Sequence, residues 1–114
     1  MANRFEVRPA SGTWVVRARG AVLGESDSAL EMVESEHAPV IYFPRTDIAM
    51  EFLDRSSKVT TCPWKGDAAH YSIATTDTTL RDVAWSYEAP LDSAAAIKNH
   101  VAFYPHDEIA VERL

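Results

Sequence analysis

The sequence predicts a mainly β protein with one short helix. Three observations carry this reading. Short runs rich in Val, Ile, Thr, Tyr, Phe and Trp recur along the chain and are cut by Pro, Gly, Asp and Ser. The alanine run inside Asp92–His100 is the one strong local helix former. At the centre of the chain, Val59-Thr60-Thr61 runs into Cys62-Pro63-Trp64-Lys65-Gly66, after which Ala69, Tyr71 and Ile73 alternate with His70 and Ser72. Pro63 has no N–H for a ladder and Gly66 tolerates a positive φ, so two antiparallel strands joined by a turn are expected there.

The remaining elements follow in order. Phe5–Arg8 alternates and is broken by Pro9–Gly12, a first strand and a loop. Trp14–Arg19 and Ala21–Ser26 read as a hairpin turning at Gly20. Arg17 and Arg19, two apart, are then expected on one face, with Val16 and Ala18 on the other. Ala29–Glu34 stays open: Leu30 with Met32 suits a strand, Leu30 with Val33 a helix. Glu34–Pro39 reads as an acidic loop, and Val40–Phe43 as a strand stopped by Pro44. Pro44–Asp47 predicts a bend or a single helical turn. Ile48–Arg55 reads as a strand after one turn, because Ser56-Ser57 interrupts too soon for a long helix. Thr75–Thr79 is a polar turn, and Leu80–Tyr87 a strand with Val83, Trp85 and Tyr87 on one face. Asp92 is the expected N-cap of the helix at about 92–100. Val101–Tyr104, stopped by Pro105, and Ile109–Arg113 complete the strands.

Composition narrows the function classes. With 114 residues, 46% of them hydrophobic and 25% charged, the chain reads as a single soluble domain over 1–114. No apolar run approaches about 18 residues and the first residues lack the apolar region of a signal peptide, so no membrane association and a cytoplasmic location are expected. The single cysteine excludes an intramolecular disulfide and a Cys-rich zinc site. His37, His70, His100 and His106 are scattered without a paired spacing, and no metal or cofactor is expected. A net charge of 11 − 17 = −6 argues against nucleic acid as a partner.

Four blocks in order carry a resemblance: Tyr42-Phe43-Pro44-Arg45-x-Asp47, Thr61-Cys62-Pro63-x-Lys65-Gly66-x-Ala68, Ala84-Trp85-x-Tyr87-Glu88-x-Pro90 and Val101-Ala102-Phe103-Tyr104-Pro105. The chain resembles the DUF427 family, small domains of unknown function found in bacteria and fungi. The resemblance implies a β-tent-like fold, two antiparallel sheets meeting at a steep angle around a hollow. Tent folds of other families often hold zinc through two CxxC pairs. This chain has no CxxC, so a tent without structural zinc is implied. A nucleotidyltransferase-like label used for some members has no counterpart here in a glycine-rich phosphate loop or a paired-Asp motif.

Three functions are weighed. The first is binding of a small anionic or planar ligand in an aromatic hollow formed by Tyr42, Tyr71, Trp85 and Tyr87, with Arg45 and Lys65 at its mouth and Cys62 beside them. The second is an enzyme, possibly transferase-like, with Cys62 as nucleophile, Lys65 lowering its pKa and Asp47 or His70 moving protons. Set against this, a free cysteine at a strand end is commonly a small buried hydrophobe. The third is a protein-interaction module, including a homodimer, using edge strands and exposed aromatics such as Trp14 or Trp64.

Overall fold

The computed structural model describes residues 5–114; the reading of a chain start without a signal peptide falls mostly on residues 1–4, outside that range. Ten antiparallel strands are formed among the described residues: β1 (Phe5–Pro9), β2 (Trp14–Ala18), β3 (Ala21–Ser26), β4 (Leu30–Glu34), β5 (Val40–Pro44), β6 (Leu53–Cys62), β7 (Gly66–Ala74), β8 (Thr79–Ser86), β9 (His100–Phe103) and β10 (Ile109–Arg113). They make a seven-stranded sheet in the order β1-β4-β5-β9-β8-β7-β6 and a three-stranded sheet in the order β10-β2-β3. The mainly β, two-sheet expectation holds, and the open segment Ala29–Glu34 resolves as strand β4.

Local sequence explains the turns. Arg19 and Gly20 carry φ of 50° and 84°, the paired positive values that match a two-residue hairpin to strand twist. Arg19 therefore leaves the strand, and β2 ends at Ala18. Arg17 bonds Glu112 at 2.6 Å, whereas Arg19 reaches Asp77 at 3.3 Å and Glu108 at 3.6 Å. At the central hairpin Cys62 pairs with Gly66, whose φ is 108°, and Lys65 N–H closes the turn on the Cys62 carbonyl at 3.2 Å.

The large sheet is buried on both faces, and strand alternation sorts its residues. Phe43, Ala69, Tyr71, Ile73, Ala84, Val101 and Phe103 pack with Val16, Ala18 and Leu23 of the small sheet. Tyr42, Ala68 and Ala102 turn the other way, and pack with Phe5, Met32, Tyr87, Ala94 and Ile97. The aromatic stripe expected on β8 is broken between these clusters. Asp82 sits at φ 52° in an irregularity of the β7–β8 ladder, its N–H bonded to Ser72 Oγ at 3.0 Å. Val83 accordingly joins the small-sheet cluster, while Trp85 and Tyr87 join the opposite one.

Two further expectations change. Ser56-Ser57 does not end a strand; it lies inside β6, where the register shifts between Arg55 and Val59. A bulge beside exposed Lys58 suits an edge strand, because it spoils the edge for unwanted pairing. The helix is present as a 3-10 segment, Asp92–Ile97, kinked at Ala94 and without a side-chain cap bond. Leu91, not Asp92, occupies the N-cap. Ala94 and Ile97 are both buried, and a spacing of three on a 3-10 turn brings both onto one side. Packing thus overrides the helix propensity of the alanines, and His100 already belongs to β9.

One joint opens the sheet. β5 meets β9 at only two pairs, Phe43↔Val101 and Pro44↔His100. Beyond them Tyr42, Ile41 and Val40 continue along β4, while Ala102 and Phe103 continue along β8. The two halves of the sheet part here, and a cleft opens between them.

Candidate functional site

The residues singled out in the sequence fall into three groups. In the first, Arg45 follows directly after β5, Tyr71 stands in β7, and Glu88 follows the end of β8. Arg45 donates to Tyr71 Oη at 3.0 Å and to Glu88 Oε2 at 3.2 Å. Tyr71 donates a very short bond to the same carboxylate oxygen, and Arg55 from β6 donates to Glu88 Oε1 at 2.7 Å. Arg45 also lies over the Tyr71 ring, 5.3 Å from its centroid. Burial alone would raise the Glu88 pKa, but hydrogen bonds from Tyr71 and Arg55 and the charges of both arginines outweigh it and hold the carboxyl below its ordinary value. Burial raises the Tyr71 phenol, and the bond to Glu88 adds to that against the opposing pull of Arg45.

In the second group Lys65 is not a solvated turn lysine. It is 7% exposed, its Nζ lies 2.6 Å from Glu34 Oε1 at the end of β4, and it sits 5.2 Å from the centroid of the Phe5 ring. The structure thus puts Arg45 with Glu88 and Lys65 with Glu34, two separate ion pairs. Each cation already has its carboxylate. Asp47 is exposed at the end of a 3-10 turn, Arg45–Asp47.

The third group is aromatic. Trp85 Nε1 donates to Tyr42 Oη at 3.1 Å, and the two rings meet edge to face. Tyr104 lies against Trp85 with centroids 4.4 Å apart and stacks on the fully buried His70. His70 Nδ1 faces the Ala68 carbonyl at 3.3 Å, an acceptor, so Nδ1 carries the proton and Nε2 accepts from Tyr104 Oη at 2.8 Å. Burial raises the Tyr42 phenol against the Trp85 bond; it also pushes Tyr87 up to about 12, with neighbouring Cys62 contributing next.

Two concavities adjoin these groups. Arg55, Cys62, Asp67 and Glu88 border one of about 510 Å³, with Cys62 partly buried. The other, about 500 Å³, occupies the cleft where β5 and β9 part, and its walls include Trp14, Ile41, Trp85, Phe103 and Tyr104. Among the described residues no three of His, Cys, Asp and Glu converge in a set that could hold a metal ion. Nor is any helix long and apolar enough to cross a membrane.

Sequence reasoning missed Glu88, Glu34, Arg55 and Tyr104. Glu88 and Tyr104 lay within quoted blocks, Glu88 directly after Tyr87 and Tyr104 between Phe103 and Pro105. Glu34 and Arg55 carried no local signal, because only the pairing of distant strands brings them to Lys65 and Glu88.

An antiparallel two-sheet β domain with an aromatic cluster at the parting of its larger sheet is the class this geometry defines. The chain belongs to the DUF427 family, a domain of unknown function, whose profile matches residues 6–113. No curated protein matches it.

Proposed function

We propose that this domain binds a small planar ligand in the cleft between β5 and β9, stacked against Trp85 and Tyr104. The observation that carries the reading is a cavity of about 500 Å³ with aromatic walls, placed where the ladder between two neighbouring strands stops. Concave sites of this size with mostly apolar walls are the usual setting for small ligands. Planarity, rather than negative charge, is favoured because the cations once considered for the mouth are each engaged by a carboxylate, Arg45 by Glu88 and Lys65 by Glu34. An anion would have to displace those partners.

The test is a thermal-shift screen of planar heterocycles against the native chain and Trp14→Leu. A compound at about 100 times its Kd adds about 2.7 kcal/mol, a rise near 10 °C for a domain of this length. Shifts lost in Trp14→Leu support the cleft. A hit whose shift is unchanged in that variant, yet lost in Arg55→Met, would move the site to the cavity beside Cys62.

A further inference from the structure

The cleft between β5 and β9 has a chemical bias. Four aromatic rings, Trp14, Trp85, Phe103 and Tyr104, contribute to its walls. Their polar hydrogens are already used: Trp14 Nε1 donates to the Ser11 carbonyl at 3.1 Å, Trp85 Nε1 to Tyr42 Oη, and Tyr104 Oη to His70 Nε2. What the rings can still offer a ligand is the negative face of each π-system. Among the described residues that line the cleft, Glu31 is the one charged side chain. Its Oε1 takes the bond from Arg8 Nε at 2.8 Å, and Arg8 is more than half exposed on the solvent side of that pair. The formal charge of the whole chain, −6, has the same sign as Glu31.

From these observations we infer that the cleft selects planar cations, such as an N-alkylated or protonated nitrogen heterocycle, over neutral or anionic rings of the same shape. The inference rests on the binding reading above and adds the charge of the ligand. A positive ring is attracted by the aromatic faces and by Glu31, and needs no donor that the cleft has already spent. Arg8 opposes the effect, but as an exposed partner on a solvated pair it is screened and can swing away.

The experiment compares three probes of nearly one shape on the native chain by amide and indole NMR titration: N-methylpyridinium, toluene and benzoate. N-methylpyridinium is expected to bind about tenfold more tightly than toluene, with benzoate weakest, and to shift the Trp85 and Trp14 indole signals. Glu31→Gln is expected to erase most of that preference while leaving toluene binding unchanged. Raising the salt concentration on the native chain gives the same comparison without a substitution, weakening the cation alone. Toluene binding as tightly as N-methylpyridinium, or benzoate binding best, overturns the charge inference and leaves the binding reading standing. Indole signals that respond to none of the three overturn both.

Discussion

Replacing Glu34 by Ala strands the Lys65 ammonium in a nearly closed site. Lys65 is 7% exposed and its Nζ has Glu34 Oε1 at 2.6 Å. Removing one partner of a buried pair typically costs about 3–5 kcal/mol, because the remaining charge is left desolvated. Here the Glu34 side chain is 30% exposed, so water can reach the vacated carboxylate position and the expected cost falls to about 2–3 kcal/mol. For 114 residues the unfolding entropy near Tm is about 0.24 kcal/mol/K, so Tm should drop by about 8–12 °C. Thermal and urea denaturation of the native chain, Glu34→Ala, Lys65→Met and the double variant form a double-mutant cycle. The cycle also removes the intrinsic strand preference of the Glu34 position. A coupling energy of at least about 1.5 kcal/mol is expected, with the double variant more stable than Glu34→Ala alone. A coupling near zero would refute the argument, since the pair would then be an ordinary solvated contact.

The other predictions test separate parts of the fold. Glu88→Gln should lower stability at neutral pH, and its deficit should shrink in acid. The folded-state pKa of Glu88 lies below the ordinary 4.5, so its contribution is complete above that value and lost as pH falls through the folded pKa. Urea midpoints of native and variant chains that stay parallel down to about pH 2 would contradict this. A Cβ added at Gly24 would lie 2.5 Å from the Asp47 carbonyl oxygen and 2.6 Å from Ile48 Cδ1, so Gly24→Ala should destabilise by about 1–3 kcal/mol in chemical denaturation. Tyr104→Phe leaves the buried His70 Nε2 without its donor and should cost about 1–3 kcal/mol, measured the same way. Asp92→Ala, at a position that makes no cap bond, should change Tm by less than about 2 °C.

How much was legible in the sequence depends on the range of the interactions involved. Strands stopped by Pro44 and Pro105 and the Cys62–Gly66 turn were readable, because proline and glycine act through their own backbone. The segment Ala29–Glu34 was not, because six residues carry too little periodicity and its strand state comes from pairing with β1 and β5. The stripe on β8 was misread past Val83 because a bulge at Asp82 shifts the alternation, and a bulge leaves no composition signal in this chain. Trp85 and Tyr42 were named together and do touch, yet His70 and Tyr104, which complete the aromatic cluster, arrive from β7 and from the residue that follows β9.

By itself the sequence determined a mainly β chain, the family, the turns and the acidic balance, all of which depend on local backbone chemistry or on ordered blocks. Tertiary structure alone decided which charge meets which. Arg45 and Lys65 were candidates for one mouth, but strand order carries them to different carboxylates, Glu88 and Glu34. It also decided where the cleft lies, because the parting of β5 from β9 follows from a ladder that stops after two pairs. Neither strand contains a residue that announces the stop; each keeps its partner on its other side, and the gap between them comes from how the two halves of the sheet pack.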